Sequence, residues 1–152
     1  MKKLWFFFIF LLILGYSNIA FASAPKILGC EDFQDRVNKS IELLKEKDTN
    51  SYNRLLVVRS IEENVGNYLA AATENKIYIN YPILQLFSSR NGYYFLTTLL
   101  SHEAVHLNIE LKSEKEEELI AIAQTIETAK LIGAPKSIIN YWEKYFKTIL
   151  DK

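Results

Sequence analysis

One cysteine, Cys30, is all that this 152-residue chain contains. No intramolecular disulfide is available, so the fold must stand on its buried core. Net charge is missing too, because 18 basic residues face 18 acidic ones. No basic patch stands out, which argues against nucleic acid as the main partner. No apolar run reaches the roughly twenty residues of a membrane span. The longest, Leu4 to Leu14, has eleven. Internal repeats and low-complexity linkers are absent as well. Histidine is the scarcity that says most: there are two, and both lie in His102-Glu103-Ala104-Val105-His106.

The N-terminus reads as an address. Lys2 and Lys3 precede the apolar run, Gly15 to Asn18 turn polar, and Ala20-Phe21-Ala22 places small residues at the cleavage positions. The pattern is that of a secretory signal peptide, residues 1–22, cut before Ser23. An uncleaved anchor is the rival, and the run is short for it. Cleavage leaves 130 residues, 23–152, one domain able to bury its own core, with 16 basic and 18 acidic residues and a formal charge of −2. The expected location is therefore outside the cytoplasm, periplasmic or secreted. Cys30 has three readings: a partly buried small residue, a lipidation site in Ile27-Leu28-Gly29-Cys30, or a thiolate masking a metal. Membrane attachment is expected only through the signal segment or through lipidation at Cys30.

The periodicity predicts an α+β fold: an N-terminal helix, a small antiparallel or mixed sheet, then helices. Glu31 to Lys47 is amphipathic, with Phe33, Val37, Ile41 and Leu44 at helical spacing. Asp48 to Ser51 reads as a polar break, Leu55 to Val58 as a strand, and Glu62 to Asn67 as a loop around Gly66. Tyr68 to Thr73 and Lys76 to Asn80 flank Glu74-Asn75 as a β-hairpin with a two-residue turn. Pro82 opens a short helix to Ser88, Asn91-Gly92 breaks it, and Tyr93 to Lys112 forms a long helix. Ser113 and Glu116 form a capping box for a helix ending near Ile132, before Gly133 and Pro135. A last helix covers Lys136 to about Leu150.

His-Glu-x-x-His on a helix puts two imidazoles one turn apart on one face, within reach of a single metal ion. Glu103 lies on an adjacent face, close to that ion but not on it. The donor set suits zinc, with Glu103 as general base for an activated water. Phe95, Leu99, His102, His106 and Ile109 share one stripe, so the histidines sit on the apolar side. Two buried imidazoles one turn apart are hard to satisfy without a metal or an acid.

Catalytic zinc sites commonly carry three protein ligands. With no third histidine, the remaining ligand is a carboxylate or Cys30. The motif helix and the next one form an αα-hairpin with its tip near Lys112-Ser113. His106 lies six residues before the tip, about 9 Å along the axis. A partner level with it lies five or six residues beyond, at Glu117, Glu118 or Leu119. Glu118 shares a row with Ile122, Ile126 and Ala129, whereas Glu117 shares one with Ala121, Gln124 and Thr128. Glu118, on the more apolar row, is the expected ligand. The other glutamates of that first turn read as a solvated acidic face favoured by the helix dipole.

With that motif and a downstream glutamate, the chain resembles the zincin metallopeptidases, and among them the gluzincin branch in its small, minimal-core form. The resemblance covers roughly Lys76 to Gly133, and Glu118-Leu119-Ile120-Ala121 matches the E-x-x-A pattern around the third ligand. It implies zinc held by His102, His106 and Glu118, with Glu103 as general base and acid, and hydrolysis of peptide bonds in a peptide or protein substrate. One position departs: many gluzincins carry an aspartate four residues after the ligand glutamate, bonded to a histidine ligand, and here Ile122 stands there. Support for the histidine must come from elsewhere, such as a backbone carbonyl or water. Tyr141 and Tyr145 are candidate oxyanion donors. The strand Lys76 to Asn80 is a candidate for binding extended substrate by β-augmentation.

Three other readings compete. An inactive zinc-binding protein would hold a partner or inhibit a peptidase through the same cleft. A di-iron carboxylate protein would use Glu103 and His106 as one E-x-x-H pair, but it needs a second such pair and no histidine remains. A helical interaction protein would bind no metal at all.

Overall fold

The computed structural model describes residues 24–86, 92–109 and 113–151. The signal segment read at residues 1–22 lies outside the described residues, as do the end of the short helix at Ser88 and the hairpin tip at Lys112. No helix of the described residues is long and apolar enough to cross a membrane.

The fold is α+β, with six helices and a mixed four-stranded sheet among the described residues. The strands are β1 (Lys26–Leu28), β2 (Ser60–Asn64), β3 (Ala70–Thr73) and β4 (Lys76–Asn80), in the order β1-β2-β4-β3. β2 runs parallel to both β1 and β4, and β3 pairs antiparallel with β4. The β3–β4 hairpin turns at Glu74 and Asn75, with φ of 49° and 61°. Positive φ at both central residues marks the turn type whose twist matches the strands it joins. Ile77 and Ile79 are fully buried on the helix-covered face.

Two strand expectations are corrected. Leu55 to Val58 is not a strand: Leu55 closes a short helix, and Leu56-Val57 turn. The strand comes two residues later, and Glu62 to Asn64 belong to it rather than to a loop. β2 carries one fully buried apolar side chain, Ile61, among polar neighbours. Its stability comes from backbone ladders on both sides and from cross-strand pairs such as Glu62 with Lys76 at 3.1 Å. Neither leaves an apolar alternation in the sequence. β4 is likewise paired on both sides, so it offers no open edge for β-augmentation.

Helix α1 (Glu31–Lys47) buries Phe33, Val37, Ile41 and Leu44, as its periodicity requires. The polar break after it is a single residue. Asp48 ends α1 and caps α2 (Thr49–Leu55), its side chain accepting from the Ser51 amide at 3.1 Å. Its other oxygen accepts from the Thr128 hydroxyl at 2.7 Å. Ser51, Ser101 and Thr128 bond one another in a buried triangle at 2.8, 3.0 and 2.9 Å. Asp48 thereby ties three helices together. Burial opposes its ionisation, yet the bonds from Thr128 and Ser51 hold the carboxyl below its usual value. A lowered folded pKa stabilises above the ordinary 3.8, and the gain is lost as pH falls through the folded value. Asp48→Ala is expected to cost about 2–3 kcal/mol in urea unfolding at pH 7, and less at pH 3.

After α3 (Tyr81–Leu86), helix α4 (Gly92–His106) carries the motif. A solvated side was expected for it, but every residue from Phe95 to Val105 is buried. Helices α1, α2 and α5 (Glu114–Leu131) and strands β3 and β4 all pack on it. Such a helix is apolar nearly all round because no face meets water. It ends at His106 rather than at Lys112. Asn108 folds back, donating from its side chain to the Ala104 carbonyl at 2.7 Å, and Ile109 is therefore off the stripe. Ser113 caps α5 by accepting from the Glu116 amide at 3.4 Å, and Gly133 ends the turn after α5 with φ of +71°. Helix α6 (Lys136–Leu150) lies against α5 and is anchored to α4 by Trp142, whose indole donates to Thr98 at 3.0 Å.

Candidate metal centre

Helices α4 and α5 run antiparallel: Ser101 meets Thr128, His102 meets Thr125, and His106 meets Glu117. The last turn of α4 therefore faces the first turns of α5, where the capping box starts the helix. His102, His106 and Glu118 converge there. The two Nε2 atoms lie 3.2 Å apart. Glu118 presents one oxygen to each ring, at 3.5 Å from His102 Nε2 and 3.3 Å from His106 Nε2. Two donors at about 2.0–2.1 Å from one tetrahedral ion stand about 3.3 Å apart. The pair of Nε2 atoms fits that figure, and each ring has its own Glu118 oxygen within 3.5 Å. Among the described residues this is the one cluster of three or more such donors, and Cys30, exposed at the start of α1, is not part of it.

The hydrogen bonds fix which nitrogen is free. Thr125 gives its hydroxyl proton to the Ala121 carbonyl at 2.7 Å, so toward His102 Nδ1, at 3.3 Å, its oxygen acts as acceptor. His106 Nδ1 donates to Glu117 at 2.9 Å. With both Nδ1 atoms protonated, each neutral ring turns an Nε2 lone pair toward the other and toward Glu118. Lone pairs and a carboxylate meeting at one point need a shared proton or a cation.

The electrostatics agree with that geometry. Burial drives His102 down to about 4. The hydrogen bond with Glu118, reinforced by Glu117, lifts His106 to about 9 against the effect of burial. Burial works against the Glu118 carboxylate, but His106 and the nearby His102 hold it below its usual range. Of the two rings, His106 is thus the one that favours protonation and His102 the one that burial keeps neutral. Glu103 is 7% exposed and sits beside this cluster without joining it. Burial raises its carboxyl to about 7.

Trp142 lies nearly parallel to the His102 ring, centroids 5.1 Å apart, and walls off that side. Of the two tyrosines named as donors, Tyr145 reaches Glu118, and burial together with the Glu118 charge pushes it to about 12. Tyr141 packs edge-on against Phe95 and Trp142. A cavity of about 310 Å³ opens beside the centre, lined by Glu114, Lys115, Glu118 and Ile149.

Of the four residues expected from spacing, His102, His106 and Glu118 are brought together, and Glu103 is buried beside them. The support for the histidines, expected from a backbone carbonyl or water, instead comes from the side chains of Glu117 and Thr125. Thr125 lies seven residues after Glu118, on the same helix face, and that periodicity is the signal that could have found it. Comparison with protein-family models, curated proteins and solved structures finds no match to this chain.

Proposed function

We propose that this chain is an exported zinc-dependent metallopeptidase with a gluzincin-like centre on a zincin-like fold. The observation that carries the reading is the convergence of two imidazoles and a carboxylate: His102 Nε2 and His106 Nε2 lie 3.2 Å apart, and Glu118 sets one oxygen 3.5 Å from the first and its other oxygen 3.3 Å from the second. A donor set of two borderline imidazole nitrogens and one carboxylate oxygen suits zinc over magnesium or calcium, which take all-oxygen ligands. Bound zinc supplies a Lewis acid that lowers the pKa of water and polarises a carbonyl. The chain's own residues do the rest. His102, His106 and Glu118 hold the ion. Glu103, with its carboxyl near 7, takes a proton from the attacking water and returns it to the leaving amine. Tyr145 stands beside Glu118 and gives its hydroxyl proton to that carboxylate, so it would have to turn from Glu118 to donate to a developing oxyanion. Export rests on the basic, apolar and small-residue order of residues 1–22.

The test is elemental analysis of the purified chain together with digestion of a peptide library, with and without a chelator. About one zinc per chain and chelator-sensitive cleavage are the expected results. Zinc without cleavage would leave a binding module, and no zinc would remove the proposal.

Metal uptake should also displace the proton stored on His106. At pH 8 His106 is mostly protonated, Glu103 mostly ionised, and His102 neutral. Calorimetry in two buffers of different ionisation enthalpy should therefore report about one more proton released per zinc bound at pH 8 than above about pH 10, where His106 has already lost its own. A proton given up by zinc-bound water would be released at both pH values, so the difference belongs to His106.

A further inference from the structure

We propose that Glu117 is a positioning residue for the metal centre: its carboxylate holds the His106 ring by Nδ1 so that Nε2 faces His102 and Glu118. The inference rests on the zinc reading and goes beyond it, because the expected aspartate is replaced by Ile122. Glu117 and Glu118 are adjacent on α5, and both touch His106, but on opposite nitrogens. Glu117 meets Nδ1 at 2.9 Å, while Glu118 meets Nε2 at 3.3 Å. An ion shared with His102 must sit at the Nε2 side, because the two Nε2 atoms are the pair at 3.2 Å. Glu117 is thereby excluded as a ligand of that ion and bound to the ring that serves it. A carboxylate on the far nitrogen fixes the tautomer, prevents ring rotation and makes the coordinating nitrogen more basic. His102 receives a neutral version of the same service from Thr125. The ring that lies farther from the core, with 22% of its side chain exposed against 7% for His102, is the one given the charged partner. That ring has fewer packing contacts to stop it turning, so the hydrogen bond must do so.

The full chain, Glu117→Ala and Glu117→Gln would each be stripped of metal and titrated with zinc against a chromophoric chelator. Glu117→Ala should weaken zinc about 10–100-fold. Glu117→Gln, whose amide oxygen still accepts from Nδ1, should stay closer to wild type. Nitrogen-15 spectra of the metal-free imidazoles, read at the alkaline plateau of their titration where both rings are neutral, add a reading that a loss of general stability would not mimic. Wild type should show His106 protonated on Nδ1, and Glu117→Ala should lose that preference while His102 keeps its own. Equal zinc affinity in wild type and Glu117→Ala, or a His106 ring protonated on Nε2 in wild type, would overturn the inference and leave the zinc reading standing. A wild-type chain that takes up no zinc would overturn both.

Discussion

Glu103→Gln should leave the zinc content of the purified chain unchanged and lower peptide hydrolysis by about 10²–10⁴-fold, the range a positioned acid–base group supplies. The substitution keeps size and shape, and Glu103 contributes no atom to the His102–His106–Glu118 cluster. What changes is the ability to accept a proton. Burial has already raised the carboxyl to about 7, so near neutrality it is partly ionised and close in proton affinity to a water activated by zinc. An amide at the same place can orient a water but cannot take its proton. The loss should fall on kcat, with little change in KM, because the proton moves only in the transition state. Identical digests from wild type and Glu103→Gln would remove the enzyme from the proposal and keep the metal. That is the outcome an inactive binding module requires.

What was legible in the sequence was local. Phe33, Val37, Ile41 and Leu44 announce α1 by spacing alone, Glu74-Asn75 announces a tight turn, and Ser113 with Glu116 announces the start of α5. Each signal is completed within one helical turn or one hairpin. β1 and β2 were not legible, because a parallel pair is held by partners far along the chain. Ser60 pairs with Lys26 on one side and Lys76 on the other. Nor does Ser60-Ile61-Glu62-Glu63-Asn64 contain more than one apolar residue. The end of α4 was missed because Asn108 stops the helix through its side chain, inside a pattern that otherwise continues. Among the candidate site residues, the meeting of His102, His106 and Glu118 could be read from spacing and helix rise. The separate tasks of Glu117 and Glu118 could not. Adjacent residues on α5 both reach His106, and only side-chain geometry shows which nitrogen each one meets.

Removing Glu118 should have the largest effect on metal binding. Structural zinc in zinc-finger peptides is worth about 10–16 kcal/mol near neutral pH, which sets the scale for a protein zinc site. Forfeiting one of three protein ligands removes on the order of a third of that, about 4 kcal/mol, or about 10³-fold in affinity. Two facts add to the loss. Glu118 is the group that faces both histidines, so its removal leaves two Nε2 lone pairs 3.2 Å apart with no anion to hold a cation between them. It is also the first cause of the raised proton affinity of His106. Glu118→Ala should therefore bring the His106 titration down from about 9, leaving Glu117 as its remaining acidic hydrogen-bond partner. Stability should move less than affinity. Glu118 is part-exposed, at 22%, and its row on α5 is anchored by Ile122 and Ala129, which the substitution leaves in place. The measurement is a zinc titration against a competing chelator beside a urea unfolding curve of the metal-free chain. A steep loss of zinc with a nearly unchanged unfolding curve is expected. Full zinc affinity in Glu118→Ala would move the third ligand elsewhere, and with it the reading of the αα-hairpin as the frame of the site. Glu117 could not take its place without His106 turning over, because the nitrogen it touches points away from the other ring.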